Sequence, residues 1–178
     1  MPLLFPDRYF ARLTCIDIQR DLIDQGYLAV LLDIDNTVRS RETDSVPDDV
    51  REWLDRARQA GISLCLLSNS WHESAQRFSR ELGIPVVAKA CKPLVHGYFR
   101  SCCKVGVPRS RTVMVGDQIL TDILGAHLAG MAAYMVVPLS KVNIRSALWQ
   151  RRVEERILQG VEPEGQLWDE GGSYGREV

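Results

Sequence analysis

The chain has 178 residues, 46% of them hydrophobic and 25% charged, which suits a globular domain with a core of its own rather than a disordered or fibrous chain. A formal net charge of −1 gives no general field toward nucleic acid, so no nucleic-acid partner is expected. No apolar run approaches the ~20 residues needed to cross a bilayer, and Asp7 and Arg8 near the start argue against a secretory signal. The expected location is the cytoplasm, with peripheral contact to a membrane surface left open. Cys15, Cys65, Cys91, Cys102 and Cys103 are odd in number and lack C-x-x-C spacing, which predicts reduced thiols rather than disulfides or a zinc site.

From Tyr27 onward, strand and helix patterns alternate. Apolar runs at 28–34, 62–67, 84–88, 112–115 and 132–137 predict strands buried on both faces. Val50, Trp53, Leu54 and Ala57 fall at i, i+3, i+4 and i+7, an amphipathic helix with Pro47 at its start and Gly61 as its stop. Ala75, Phe78 and Leu82 mark a second helix closed by Gly83. A third is expected from about Pro93 to Val105, and a fourth from about Leu120 to Ala129. The alternation predicts an α/β fold with a doubly wound, mostly parallel sheet. Residues 1–160 are expected to form the domain, and 161–178, rich in Gly and Glu, a loosely ordered acidic tail.

The most informative stretch is Leu31-Leu32-Asp33-Ile34-Asp35-Asn36-Thr37. Side chains alternate along a strand, so Asp33 and Asp35 share a direction at its C-terminal end, in the crevice where open α/β sheets hold ligands. An Asp-Asn-Thr turn that merely caps the next segment is the plainer alternative. Three other predicted strands end in polar groups: Ser68-Asn69, Lys92-Pro93, and Gly116-Asp117-Gln118 with Asp122 further on. Separately, each reads equally well as a cap, a solvated cation or a turn. Strand order brings them together, and their types are complementary.

Acids, a hydroxyl and a cation in one crevice suit phosphoryl transfer. Asp33 can attack phosphorus and form an aspartyl-phosphate. A magnesium ion held by Asp33, Asp117 and the main-chain carbonyl of Asp35 would let two anions approach. The Asp35 side chain is then free to protonate the leaving alcohol and activate water. Thr37, Ser68 and Asn69 can bind the phosphorylated substrate, and Lys92 can neutralise its growing charge. Asp122 suits orientation of Lys92 or of a metal-bound water.

These four ordered motifs resemble those of the haloacid-dehalogenase (HAD) phosphatases, and the resemblance implies the roles just given. Phe5-Pro6-Asp7, Leu82-Gly83-Ile84-Pro85, Lys92-Pro93, Gly116-Asp117-Gln118-Ile119-Leu120-Thr121-Asp122 and Val136-Val137-Pro138 resemble the YqeG-type branch of HAD subfamily IIIA, over about residues 3–158. That branch is similar to phosphatidylglycerophosphate phosphatases, which implies hydrolysis of phosphatidylglycerophosphate to phosphatidylglycerol. Arg39 and Arg41, after the nucleophile motif, depart from the usual pattern, as does the acidic tail.

The gaps between motifs are too short for a lid domain, which needs some ~50 residues, so an uncapped site open to large or surface-bound substrates is expected. Arg39 and Arg41 could hold a second phosphate or an anionic membrane surface, or could be a solvated loop. The segment 143–159 carries Arg145, Arg151, Arg152 and Arg156 beside Ile144, Leu148, Trp149, Val153, Ile157 and Leu158, a basic amphipathic helix. Such a helix packs on its own sheet or rests on anionic lipid, each cation adding about 1 kcal/mol there. Leu3, Leu4, Phe5, Tyr9, Phe10 and Leu13 could form a similar patch. The partner expected is a phosphorylated substrate, with a phospholipid headgroup favoured and a phosphosugar, nucleotide or phosphoprotein as the alternative. A receiver-like scaffold fits less well, since it needs no acid at Asp35. No G-x-G-x-x-G follows a predicted strand, and no Walker-type motif occurs.

Overall fold

The computed structural model describes residues 2–70, 72–140 and 148–166, those at 72 and 148–152 by their backbone alone. Six strands, β1 (Arg8–Phe10), β2 (Ala29–Leu32), β3 (Ser63–Leu67), β4 (Val86–Val87), β5 (Thr112–Gly116) and β6 (Ala132–Val136), form one sheet in the order β1-β6-β5-β2-β3-β4. Every pairing is parallel. Helices α1 (Asp48–Gln59), α2 (His72–Leu82), α3 (Val95–Val105), α4 (Leu124–Leu128) and α5 (Leu148–Ile157) lie between and after the strands. This is the predicted doubly wound α/β sheet.

Alternation along the strands builds two cores. Val30, Leu32, Leu64, Leu66, Val113 and Val115 meet Val50, Trp53 and Leu54 of α1 and Phe78 of α2. Leu31, Cys65, Leu67, Met114 and Met135 meet Tyr98 of α3 and Ala126 of α4 on the other side. Such two-sided burial explains why the strands read as continuous apolar runs. Helix α1 opens with Asp48 and Asp49 and closes with Arg56 and Arg58, charges that suit both ends of its dipole. Gly61 then stops it with a positive φ of 85°, a backbone that favours glycine. All five cysteines are free; Cys65 and Cys102 are buried, and Cys91 and Cys103 are exposed.

The N-terminal apolar residues do not form the expected surface patch. Tyr9 and Phe10 lie in the edge strand β1, and Phe10 and Leu13 are buried in the first core. Leu4 packs on the second core, while Leu3 remains exposed. The helix expected at 120–129 is divided, with a π-helical turn over Ile119–Ile123 leading into the short α4. Glu164 adds a bridge beside β1: its N–H donates to the Tyr9 carbonyl at 2.8 Å, and its carbonyl accepts from the Ala11 N–H at 2.8 Å. Residues 167–178 of the expected tail lie outside the described residues.

Ile157 and Leu158, at the end of α5, pack against the second core. Ile144 and Arg145 lie outside the described residues, as do the side chains of Leu148, Trp149, Arg151 and Arg152. Among the described residues, no helix is long and apolar enough to cross a membrane. Between β2 and α1 the chain makes only a small loop, with bridges Asp35↔Arg39 and Ser40↔Ser45. No cap domain is inserted there or after β3.

Candidate active site

The chain leaves β2 in the middle of the sheet, then takes β3 and β4 to one side and β5 and β6 to the other. That reversal opens a crevice at the carboxyl ends of β2 and β5. Asp33 follows β2 directly, and its N–H donates to the Val115 carbonyl at 2.9 Å, which fixes the acid beside the end of β5. Ser68 follows β3, Asp117 follows β5, Asp122 lies on the π-helical turn, and Lys92 comes from the β4–α3 loop. All five are buried.

Lys92 sits between two acids. Its Nζ donates to Asp33 Oδ1 at 2.5 Å and to Asp122 Oδ1 at 2.6 Å. Asp122 is held in turn by the Gln118 N–H, which donates to its second oxygen at 3.2 Å. One carboxylate oxygen from each of Asp33, Asp117 and Asp122 lies within 4.8 Å of the others. Burial pushes the Asp33 carboxyl up to about 7, with Lys92 opposing and Asp122 adding. Burial also raises the Asp117 carboxyl well above the usual range, reinforced by the charges of Asp33 and Asp122. Burial would lower the Lys92 ammonium, but Asp122 and Asp33 outweigh it and keep it charged.

Such a set invites a cation. Asp117 Oδ1 is buried without a hydrogen-bond partner, and carboxylates crowded out of water repel one another. A divalent ion would satisfy the oxygen and relieve the repulsion, and all-oxygen donors favour a hard metal. The residues fit the group.

Asp35 is occupied differently. Arg39 bonds one oxygen of its carboxylate, while Arg41 (3.2 Å) and the Ser70 hydroxyl (3.1 Å) donate to the other. Burial would raise this carboxyl, but Arg39 and Arg41 outweigh it and hold it below the usual range. The two arginines are therefore ion-paired beside the site rather than a solvated loop. Asn36 makes this possible. Its left-handed backbone, φ 62°, turns the chain so that its N–H donates to the Arg39 carbonyl at 2.7 Å.

Asn69 brackets Lys92: its Oδ1 accepts from the Lys92 N–H at 2.7 Å, and its Nδ2 donates to the Lys92 carbonyl at 3.1 Å. Its side chain thus positions the lysine loop. Ser68 Oγ accepts from the Ser70 N–H at 3.0 Å. Thr37 is buried, and its hydroxyl has no hydrogen-bond partner. Sequence reasoning missed several supports. Ser140 donates to Asn36 Oδ1 at 2.7 Å, and Glu154 on α5 accepts from the Ile119 N–H at 3.0 Å. Tyr98 donates to the Thr121 carbonyl at 2.8 Å beneath the turn that carries Asp122. Gly116 is required where it stands, because a Cβ there would meet the Asp122 carboxyl at 2.4 Å. Only Gly116 carried a sequence signal, through its place beside Asp117.

The chain is 28% identical over 166 residues to "Probable phosphatase YqeG" of Bacillus subtilis (strain 168), covering 93% of this chain and 96% of that one. Its fold is similar to that of NagD from E. coli K-12, with a TM-score of 0.54 at 12% identity, over 66% of this chain and 99% of that one. It is also similar to the cobalt-bound deoxy-D-mannose-octulosonate 8-phosphate phosphatase (YrbI) of Haemophilus influenzae, with a TM-score of 0.52 at 15% identity, over 76% and 89%. A model of the haloacid dehalogenase-like hydrolase family matches residues 6–130, and the chain belongs to that family.

Proposed function

We propose that this protein is a magnesium-dependent phosphomonoester hydrolase that works through an aspartyl-phosphate on Asp33. The observation that carries the reading is the buried group Asp33–Lys92–Asp122 beside Asp117, whose free carboxylate oxygen faces no protein donor. Membership of a hydrolase family and similarity to YqeG support it.

Asp33 attacks phosphorus as the bond from phosphorus to the leaving oxygen breaks. The electron pair passes to that oxygen, which takes a proton from Asp35, whose carboxyl the negative charge of the incoming phosphate raises toward that acid role. Water then attacks the phosphorus of the aspartyl-phosphate, and Asp35 takes up its proton. The bond to Asp33 breaks, releasing inorganic phosphate. A magnesium ion bound by Asp33, Asp117 and the main-chain carbonyl of Asp35 would supply charge neutralisation for the phosphoryl oxygens. Lys92, already charged and buried, can shift its donors to those oxygens. Ser68, Thr37 and the main-chain N–H of Asn69 complete the phosphate site, and Asp122 keeps Lys92 in place.

The substrate we favour is phosphatidylglycerophosphate. Resemblance to the YqeG-type branch supports it, as does the absence of a cap domain over the crevice. A membrane-presented headgroup needs such access, whereas an open site buries little of a small metabolite. Hydrolysis of p-nitrophenyl phosphate and of phosphatidylglycerophosphate in mixed micelles, with and without magnesium, tests both levels. Activity is expected only with the metal, and Asp33→Asn should lower kcat by about 10³-fold or more. Unchanged activity in that variant would remove the nucleophile assignment. Faster turnover of phosphosugars or nucleotides than of the lipid would remove the lipid.

A further inference from the structure

We propose that Arg39 and Arg41 form a receptor for a second anionic group, carried by the leaving alcohol of the substrate, and that Asp35 fills that receptor in the resting enzyme. This rests on the phosphatase reading above and names a property of its substrate.

Charges alternate along the rim of the crevice as Arg41, Asp35, Arg39, Asp44 and Arg77, each bonded to the next. Among the described residues, three guanidinium groups of this row therefore share two carboxylates, a surplus of one positive charge. The arrangement is built rather than loose. The Arg39 guanidinium lies 5.2 Å from the centre of the buried Phe78 ring, and that of Arg77 lies 4.6 Å from it. The side chains of Arg39 and Arg41 are only 17% and 27% exposed. Arg39 also keeps its Nε donor buried and without a partner.

Asp35 accepts bonds from three donors. Three of the four lone-pair positions of that carboxylate are thus taken, two of them by arginines, and turning it toward a leaving oxygen or a water loosens that hold. An arginine loosened in this way stands next to the leaving alcohol and lacks an anion. An arginine fork is best satisfied by a phosphate or phosphodiester, which it binds with two parallel bonds. The fitting substrate therefore carries a phosphoryl group at the scissile end and a second phosphate a few bonds away on the alcohol. A soluble bisphosphate and a phospholipid headgroup both present that chemistry.

The test compares kcat/KM of the full chain, with magnesium, on glycerol 1,3-bisphosphate and glycerol 1-phosphate. The protein is expected to prefer the bisphosphate by about tenfold or more. Arg39→Gln and Arg41→Gln should each bring the ratio to within about threefold, and Arg41→Lys should keep part of it. A general folding defect would lower both rates together and preserve the ratio. An equal rate on both esters in the unaltered protein, or an unchanged ratio in both Gln variants, would overturn the inference and leave the phosphatase reading intact. If neither ester nor p-nitrophenyl phosphate is hydrolysed, that reading itself falls, and the inference with it. Phosphatidylglycerophosphate in mixed micelles separates the sources. A higher kcat/KM than for glycerol 1,3-bisphosphate assigns the lipid headgroup, and a lower one assigns a soluble ester.

Discussion

Gly116 shows how little space the candidate site leaves at the level of single residues. The Asp122 carboxyl occupies the volume that any side chain at 116 would need, and the same carboxyl holds Lys92 against Asp33. Gly116→Ala should therefore displace Asp122 and, with it, the lysine. A shift of about 1 Å in such a group can cost 10²-fold in rate. The expected outcome is a fall of that order in kcat/KM on p-nitrophenyl phosphate with an unaltered circular-dichroism spectrum. Unchanged kinetics would show that Asp122 does not position Lys92. The acids at 33, 35, 117 and 122 and the lysine at 92 were singled out in the sequence because strand order brings their segments together and their chemical types are complementary. The pairing of Arg39 and Arg41 with Asp35 was not. It depends on the left-handed backbone of Asn36, and the Asp-Asn-Thr turn offered by the sequence does not say which later side chains that turn brings back to Asp35.

Among the elements, those with long periodic patterns were read closely. Helix α1 and strands β2, β3 and β6 fall within the expected ranges, and β5 exceeds its own by one residue, since each buries enough apolar surface to show its period. Strand β1 was missed because three residues cannot display alternation, and its pairing partner Tyr134–Val136 is remote in sequence. Instead, β1 is secured by charge. Arg8 bonds the buried Asp21 at 2.6 Å and also pairs with Glu164, and Arg20 bonds Asp21 at 2.7 Å. Burial would raise the Asp21 carboxyl, but bonds from Arg20 and Arg8 outweigh it and hold it at about 2. The unfolded value is about 3.9, so the folded form binds its proton less readily. The stabilisation is then complete above that unfolded value and is lost as pH falls toward 2. Asp21→Asn should cost on the order of 2 kcal/mol at neutral pH in urea melts. The gap between the two proteins should close in acid. A gap that persists undiminished at low pH would mean that Asp21 acts through packing rather than charge.

At the scale of the whole molecule, the doubly wound sheet makes one place where four loops must meet. The chain supplies those loops with acids and a lysine and leaves the crevice without a cap domain. Net charge is close to zero overall, so attraction of an anionic substrate depends on the local cations Lys92, Arg39 and Arg41. The α/β class and the uncapped crevice were legible from strand spacing and gap lengths. The contribution of α5, whose Glu154 reaches the turn bearing Asp122, was not, because that contact spans 35 positions in the chain. The central claim is that phosphorus passes through the carboxylate of residue 33. Turnover with magnesium and an excess of p-nitrophenyl phosphate, quenched in acid and reduced with borohydride, converts an acyl phosphate on aspartate to homoserine. Peptide mass spectrometry should find homoserine at position 33 and none in Asp33→Asn. Sustained hydrolysis with residue 33 unmodified, or with the label at another aspartate, would contradict it.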